Sequence, residues 1–388
     1  MSLGHGTLDL REDPDGTLSV QVTRQDTYPV NIGPGELDTL PALTEQLGLA
    51  DSLFVITDTN VADVLLQRTV DLFRDRGMRV QPIVVPAGEA SKSWPVLQSV
   101  IDALLTRGVQ RRSALVALGG GVIVDAVGFV ASVVMRGLPY INVPTSLVAQ
   151  LDAAIGGKTG IDYNGSKNLL GGFYHPAAVL IDPELLRTLP AREIRGGLAE
   201  AVKVGILHPP LFTKLENLSS GSPPDIEALA AVTSDAARYK MHLLKDDPFE
   251  RSLVRLLNLG HSFGHALEAA TRFEVYRHGE AIAVGIALAT MMSRHRGMCA
   301  AETTDRILAC LRRCGLGVTM PPSLMTATWE EIDVIRRIRN GVLNEVLPVS
   351  VGECVVVDEV SHDEFVSAAG ALAGPGTAAA PRATAGRQ

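Results

Sequence analysis

Short apolar segments alternate with helical segments in the first half of the chain, and this alternation constrains the fold more than any other feature. Segments 52–60 and 113–121 are apolar runs that end in turn residues or glycines, as buried strands do. Segment 61–77 has apolar residues at helical spacing and ends on a glycine. Strands that alternate with helices form a parallel sheet covered by helices on both faces. The sequence therefore predicts an α/β domain over residues 18–182.

The second half of the chain has a different pattern. Strand signals fade after residue 183, and the segments that follow have apolar residues at helical spacing. This pattern predicts an all-helical domain over residues 183–370. Residues 371–388 consist mainly of small residues of low complexity, which predicts a disordered tail.

Composition and charge exclude several classes of protein. A chain of 388 residues is long enough for two domains, and its net charge of −8 with no strong basic run argues against nucleic-acid binding. The polar start "MSLGHGTLDLREDPDG" is unlike a signal peptide, and the apolar run "AVGFVASVVM" is about half the length that spans a bilayer. None of the four cysteines forms a C-x-x-C pair. We expect a reduced, cytoplasmic protein without a membrane partner.

Glycines follow the third predicted strand. Gly119, Gly120 and Gly121 stand between this strand and a helix, where backbone N–H groups can approach a phosphate, although a tight turn would use the same residues. Asp58 ends an earlier strand and suits a ribose diol, and the loop "PAGEASKS" supplies Glu89 and Lys92. Loops after parallel strands meet at one edge of the sheet, so together they predict a dinucleotide site.

Residues 152–176 form a glycine-rich stretch, "DAAIGGKTGIDYNGSKNLLGGFYHP". We interpret it as a long loop in which Lys158, Lys167 and Asn168 bind a phosphorylated substrate. A solvated loop with ordinary surface lysines explains the same pattern.

Two histidines, His261 and His265, are spaced by four in "LLNLGHSFGHALE" and therefore share one face of a helix. Such pairs occur in zinc sites, but also in protein cores and on surfaces. His278 in "YRHGEAIAVG" and Glu200 in "GLAEAVK" offer further ligands. Two histidines and one carboxylate with an open position make a set of the catalytic zinc type.

Seven motifs between about residues 50 and 300 resemble the sugar phosphate cyclases of the 3-dehydroquinate synthase superfamily. They occur in family order: "PAGEASKS", "GGGVIVDAVGF", "VPTSLVAQLDAAIGGKTGID", "SKNLLGGFYHP", "TLPAREIRGGLAEAVK", "NLGHSFGHALE" and "HGEAIAVG". The resemblance implies a Rossmann-like nucleotide-binding domain, a helical metal-binding domain, an active site in the cleft between them, and a homodimer.

The resemblance also assigns residues. It implies that Glu200, His261 and His278 bind a divalent metal, zinc or cobalt, and that His265 faces the substrate phosphate. It gives to NAD+ the residues Asp58, Glu89, Lys92, Gly119, Gly120, Gly121, Asp125, Thr145, Asp152, Lys167 and Thr188. It gives to the substrate Arg136, which could act across the dimer, and Lys158, Asn168, Lys203, Lys240, Asn258 and His265. Of these, Lys158, Lys203, Lys240, Asn258 and His265 are the expected catalytic residues.

The implied activity is that of a carbon–oxygen lyase acting on a sugar phosphate. A hydroxyl is oxidised by NAD+, phosphate is eliminated, the hydride returns, and ring opening with an aldol step closes a carbocycle. The cofactor is therefore regenerated in every turnover.

The sequence departs from dehydroquinate synthase where that family binds a substrate carboxylate. The arginine expected four residues before the asparagine of "LLN" is replaced by Val254, with Arg255 beside it. The segment "IRRIRNGVLNEVLP" resembles sedoheptulose 7-phosphate cyclases, and here we expect Arg337 to bind substrate, although Arg336, Arg337 or Arg339 could instead serve a substrate carboxylate.

We therefore predict the conversion of sedoheptulose 7-phosphate to a valiolone-type C7 cyclitol, either 2-epi-5-epi-valiolone or 2-epi-valiolone, for natural product biosynthesis. The main alternative is 3-dehydroquinate synthase or amino-dehydroquinate synthase. A glycerol dehydrogenase-like enzyme and a catalytically inactive binding protein remain further alternatives.

Overall fold

The computed structural model describes residues 5–49, 51–164, 166–219, 224–251 and 256–373. The chain divides into two compact units, Met1–Leu189 and Pro190–Gln388. The sequence placed the domain boundary at residues 182 and 183, whereas the division between the units follows the short 3-10 helix Pro183–Thr188.

The first unit is built on a six-stranded parallel sheet, which confirms the predicted α/β class. From one edge to the other the strands are β3 (Val30–Ile32), β10 (Ala178–Ile181), β7 (Tyr140–Pro144), β6 (Ala114–Gly119), β4 (Leu53–Asp58) and β5 (Val80–Val85). Every residue of β6 is buried, because helices cover both faces of the sheet. A strand in such a position has a continuous apolar sequence.

Helices cover both faces of this sheet. They are α1 (Glu36–Gln46), α2 (Thr59–Val61), α3 (Gln67–Arg74), α4 (Trp94–Thr106) and α5 (Gly121–Val133), with a π-helical segment, Ala62–Leu66, between α2 and α3. Val55 of β4 packs into one apolar cluster, whereas its neighbours Phe54 and Ile56 pack into the other. Successive strand residues point to opposite faces, so this alternation shows a core on each side of the sheet.

The glycine-rich stretch 152–176 is not a long loop, and this prediction was wrong. It begins with a π-helical turn, Ala149–Ala153, and then forms an antiparallel hairpin of β8 (Lys158–Tyr163) and β9 (Ser166–Phe173). Its glycines serve close packing of the two strands, because a Cβ added at Gly171 would lie 2.2 Å from the carbonyl oxygen of Thr159. Glycine content was therefore read as a loop signal where it reflects a close backbone approach.

A second hairpin, β1 (His5–Glu12) and β2 (Leu18–Gln25), precedes the parallel sheet. Cross-strand pairing places Leu8 opposite Val22 and Leu10 opposite Val20, so these side chains share one face. All four are exposed, at 56–69% of their full surface, as is Leu18. The hairpin therefore presents an apolar row to solvent.

The second unit is mainly helical, as predicted. Its helices are α6 (Ala191–Leu207), α7 (Pro209–Glu216), α8 (Ile226–Leu243), α9 (His261–Ala270), α10 (His278–His295), α11 (Ala301–Arg313), α12 (Met325–Ile338) and α13 (His362–Leu372). The expectation of an all-helical unit needs one correction, because β11 (Glu345–Ser350) and β12 (Glu353–Val357) form an antiparallel hairpin. Their β-branched segments are short and follow a long helical stretch, which hid the strand signal.

The predicted disordered tail begins at residue 371, but α13 continues to Leu372, so the first two residues of this tail are helical. Residues 374–388 of the predicted tail lie outside the described residues. Within the described ranges, no helix combines the length and apolarity needed to cross a membrane. The four cysteines are free thiols.

Candidate active site

The predicted nucleotide residues of the first unit gather where its parallel strands end. Asp58 is the last residue of β4, and Gly119 is the last residue of β6. Glu89 and Lys92 follow β5, Thr145 follows β7, and Thr188 ends the short helix after β10. The carboxyl edge of an open parallel sheet is where such folds bind ligands.

The glycine turn after β6 has the geometry of an anion site. Gly120 is the N-cap of α5 in an extended conformation, and no side chain caps the helix. A Cβ at Gly120 would lie 3.3 Å from the Ser146 hydroxyl oxygen, and one at Gly121 would lie 3.6 Å from the Ala153 side chain. The glycines therefore allow Ser146 and Ala153 to lie close to the first turn of this thirteen-residue helix, whose uncapped N-terminus is of the kind that binds phosphate.

Asp58 has a local structural role as well as its predicted one. Its Oδ1 accepts hydrogen bonds from the backbone N–H groups of Asn60, at 2.9 Å, and Val61, at 3.1 Å. Asp58 thereby caps α2. The capping contacts use one carboxylate oxygen, so ribose binding would fall to the other oxygen.

Lys92 is the centre of a buried polar network in the first unit. Its side chain is 6% exposed, and its Nζ donates to Asp125 Oδ2 at 2.5 Å and to Asn168 Oδ1. Burial raises the pKa of the Asp125 carboxyl, while Lys92 pulls it down and Asp152 raises it further. Lys92, Asp125, Asp152 and Asn168, which the sequence assigned to cofactor or substrate, are therefore neighbours.

The other predicted basic residues lie at two places in this unit. Lys158 begins β8, and Lys167 on β9 forms an ion pair with Glu89 at 3.5 Å. Arg136 is exposed and has a positive φ of 68°, directly after Met135 with a φ of 52°. Two consecutive non-glycine residues in the left-handed region make this a strained corner.

In the second unit, the predicted metal ligands converge. The Glu200 side chain is 1% exposed, and its Oε1 lies 3.5 Å from His261 Nε2 and 3.2 Å from His278 Nε2. His265 joins the two other histidines, since one ring nitrogen from each of the three lies within 4.8 Å of the others. The sequence placed His265 with the substrate, but its position does not by itself separate that role from metal binding.

Both predicted ligand histidines, His261 and His278, turn Nε2 toward Glu200. His261 Nδ1 lies 3.2 Å from the carbonyl oxygen of Leu259, and His278 Nδ1 lies 3.2 Å from Glu268 Oε2. A histidine that donates from Nδ1 presents the lone pair of Nε2, which is how metal-binding histidines are oriented by their partners. These residues therefore fit a divalent metal on Glu200, His261 and His278.

Glu268, which contacts the predicted ligand His278, was not among the residues that the sequence singled out. It is buried at 1% exposure and orients His278. It stands seven residues after His261 on α9, which places the two side chains on one helix face. This seven-residue spacing was the feature of the sequence that could have indicated a carboxylate near the predicted metal site.

Burial and the neighbouring charges shift the pKa values of the cluster residues in different directions. Burial lowers the pKa of His261 to about 4, and Lys203 lowers it as well. Burial also lowers the pKa of His278, but the carboxylates of Glu200 and Glu268 outweigh it and raise that pKa to about 9. Burial raises the pKa of Glu200, but Lys203, at 2.5 Å, and the two histidines outweigh it and hold the carboxyl ionised. Without a metal, the cluster therefore keeps an anionic oxygen beside a neutral His261 ring and a protonated His278 ring, and a bound metal would displace the Nε2 proton of His278.

Close helix packing brings these ligands together. A Cβ added at Gly279 of α10 would lie 2.0 Å from the carbonyl oxygen of Gly196 on α6. One added at Gly285 of α10 would lie 2.0 Å from the carbonyl oxygen of Gly260, directly before α9. Only glycine permits such approaches, so two glycine contacts hold α6 and α9 against α10.

The remaining predicted substrate residues lie in several places in the second unit. Lys203 and Lys240 are both buried at 2% exposure, and Asn258 ends the 3-10 helix Leu256–Asn258. Arg337 lies on the exposed side of α12, and its Nε donates to the carbonyl oxygen of Asp333 at 3.3 Å.

Two further arginines, which the sequence left as candidates for a substrate carboxylate, bind groups of the same unit. Arg336 forms ion pairs with Asp333 and Glu359, and Arg339 donates to Ser262 and to the carbonyl oxygen of Leu343. Val254 and Arg255 lie outside the described residues.

Comparison with known proteins gives one consistent relationship. Family profiles described as 3-dehydroquinate synthase N-terminal and C-terminal match residues 82–196 and 197–335. A 2-epi-valiolone synthase of Stigmatella aurantiaca is 45% identical, over 90% of this chain and 89% of its own length. A 3-dehydroquinate synthase of Syntrophotalea carbinolica is 37% identical, over 85% of this chain and 92% of its own.

A solved structure extends this relationship to three dimensions. It is that of 2-epi-5-epi-valiolone synthase from Streptomyces hygroscopicus subsp. jinggangensis with NAD+ and Zn2+ bound. The TM-score is 0.84 and the sequence identity is 30%, with 92% of this chain and 99% of that chain covered.

Proposed function

Since the chain belongs to the 3-dehydroquinate synthase family, we propose that it is an NAD- and metal-dependent sugar phosphate cyclase acting on sedoheptulose 7-phosphate. The proposed reaction releases phosphate and forms a valiolone-type C7 cyclitol. One observation carries the choice of substrate: a 2-epi-valiolone synthase is 45% identical to the chain, against 37% and 39% for two 3-dehydroquinate synthases.

The first unit supplies the cofactor site in this proposal. The uncapped first turn of α5 after Gly119, Gly120 and Gly121 receives the pyrophosphate, and Asp58 accepts the ribose hydroxyls. Bound NAD+ supplies a hydride acceptor that is restored within each turnover. The related structure with NAD+ bound supports this assignment.

The second unit supplies the metal site. Glu200, His261 and His278 hold a divalent ion, zinc or cobalt, which when bound supplies a Lewis acid for substrate hydroxyls. Lys203 holds the Glu200 carboxylate ionised, and Lys203 and Lys240 supply compact positive charges for a phosphorylated sugar. His265 lies at the edge of the cluster and binds substrate. Lys158, Asn168 and Arg136 of the first unit complete the proposed substrate set.

The arginines near α12 support a substrate without a carboxylate. A carboxylate in a closed site needs a charged partner, and leaving it unpaired costs several kcal/mol. The described contacts of Arg336 and Arg339 are with protein groups, and Arg337, which belongs to the proposed substrate set, lies on the exposed side of α12. The neutral hydroxymethyl end of sedoheptulose does not need such a partner.

Phosphate release from two sugars, measured side by side, tests the choice. We expect sedoheptulose 7-phosphate to be preferred over the corresponding carboxylated heptulosonate phosphate by about a hundredfold in kcat/KM, which corresponds to about 3 kcal/mol. Faster conversion of the carboxylated sugar to dehydroquinate would make the chain a 3-dehydroquinate synthase. Net accumulation of NADH would indicate a dehydrogenase instead.

We also propose a homodimer that covers the apolar row of the β1–β2 hairpin. An isolated two-stranded hairpin is marginally stable in water. The row of Leu8, Leu10, Leu18, Val20 and Val22 has no charge, so the same row of a second copy is complementary to it.

Light scattering at a series of concentrations tests the homodimer. We expect a dimer for the wild type and a monomer for Val20→Lys. Gln21→Lys, on the opposite face of β2, should remain a dimer. A wild type that stays monomeric would refute the proposal.

A further inference from the structure

The hairpin of β11 and β12 contacts both helices that carry the proposed histidine ligands. Ser293 of α10 donates to the carbonyl oxygen of Pro348 on β11 at 2.5 Å. At the other end of β11, Glu345 faces Ser262 of α9 and Arg339. The hairpin therefore lies against α10 through one residue and against α9 through another.

Ser262 occupies a sensitive place in α9. It is 1% exposed and directly follows His261 in the first turn of the helix. No side chain caps this helix, and the residue before it is Gly260 in the left-handed region with a φ of 76°. Adjacent residues of a helix point about 100° apart, so a contact at Ser262 restrains the first turn without occupying the metal face.

Arg339 and Glu345 are the two side chains that face Ser262. Arg339 Nη1 donates to Ser262 Oγ at 3.1 Å and to the carbonyl oxygen of Leu343 at 2.6 Å. Glu345 is fully buried and its carboxyl faces Ser262 and Arg339, but neither of its oxygens is in hydrogen-bonding geometry with a partner among the described residues. Arg339 is therefore the direct contact of Ser262, and the Glu345 carboxyl completes one polar network around it.

We propose that Glu345 and Arg339 are positioning residues for the metal site, acting through Ser262 to fix the first turn of α9 and thereby His261. This inference rests on the proposed metal site and adds residues that touch neither metal nor substrate. Partners behind a ligand commonly change metal affinity by about 10- to 100-fold.

Binding of Co2+ alone, measured by competition with a chelator at one pH without substrate, tests this. We expect Ser262→Ala and Glu345→Gln each to weaken Co2+ binding by roughly tenfold. The double variant should bind Co2+ about as weakly as either single variant, because both changes break one network. The visible absorption of bound Co2+ should also shift, which a general loss of stability would not cause.

Thr290→Val is the matched control. Thr290 is a fully buried hydroxyl of α10 that bonds only within its own helix, to the carbonyl oxygen of Ile286. Its Co2+ affinity should equal that of the wild type. If Ser262→Ala or Glu345→Gln loses helical circular dichroism, the same Co2+ measurement on Arg339→Lys tests the inference. Arg339 is half-buried, and a lysine in its place keeps the positive charge but lacks the guanidinium geometry.

The outcomes separate this inference from the proposed function. Wild-type Co2+ affinity and spectrum in the folded variants would overturn the positioning role and leave the metal site intact. Additive losses, or an equal loss in Thr290→Val, would also overturn it. A wild-type chain that binds no Co2+ would overturn both.

Discussion

The two units build their sites in different ways. In the first unit the candidate nucleotide residues follow one another at the ends of successive strands, and a glycine turn exposes backbone N–H groups. In the second unit the candidate ligands come from three helices, and Glu200 and His278 are far apart in sequence. The first site therefore depends on topology, whereas the second depends on how closely helices pack.

The largest expected effect comes from filling the space between helices. Gly285→Ala should destabilise the second unit by about 3 kcal/mol and abolish metal binding, because its Cβ would meet a backbone carbonyl. Gly370→Ala is the control: Gly370 is also within a helix, has nothing within 4 Å of an added Cβ, and should gain about 1 kcal/mol. Thermal unfolding and metal content measure both. Equal effects of the two substitutions would refute the packing account.

A buried charge in the second unit predicts a pH effect. Burial raises the pKa of Glu345 to about 7 from its ordinary 4.5, against the opposing influence of Ser262 and Arg339. The folded state then holds the proton more tightly than the unfolded state. This contribution to stability is complete below about pH 4.5 and is lost as the pH rises through about 7, by about 3 kcal/mol in total.

The difference between wild type and Glu345→Gln isolates this effect, because other groups titrate equally in both. Wild type should lose stability relative to the variant between pH 5 and pH 8. A constant difference across this range would show that Glu345 has an ordinary pKa.

The glutamate behind His278 should have an intermediate effect. Glu268→Gln removes the carboxylate that orients the ring, so we expect metal affinity to fall by roughly 10- to 100-fold. Glu274→Gln, at an exposed position shortly after α9, should leave it unchanged. Titration with Zn2+ against a chelator distinguishes the two, and an unaltered Kd for Glu268→Gln would remove Glu268 from the site.

The smallest effect is expected in the first unit, where one carboxylate has two roles. Asp58→Ala should weaken NAD+ binding by roughly tenfold and also cost about 1 kcal/mol of stability, since it removes the cap of α2. Asp58→Asn keeps the cap and should lower only the affinity. Calorimetric titration with NAD+ and a melting curve test this pair. Full NAD+ affinity in both variants would move the ribose contact elsewhere.

The two units also differ in how much of each site could be predicted from the sequence. Strand ends such as Asp58 and Gly119 are local signals, so the parallel sheet and its ligand edge were predictable. Residue types alone made Glu200, His261, His265 and His278 candidate ligands, but the choice among them came from the family resemblance, because no local pattern shows that Gly196 meets Gly279.

Two errors have a related cause. The hairpin of β8 and β9 was taken for a loop because its glycines were read as flexibility, although Gly171 permits close strand packing. The hairpin of β11 and β12 was missed because its segments are short and stand among helices. Both depend on contacts with neighbouring chain segments rather than on the segment's own composition.

Metal content of purified single variants, measured by elemental analysis together with turnover, tests the central claim most directly. The account predicts one divalent ion per wild-type chain, loss of the ion in Glu200→Gln, His261→Ala and His278→Ala, and retention of the ion with loss of turnover in His265→Ala. An ion lost equally from His265→Ala, or retained in the other three variants, would contradict the assignment of the ligands.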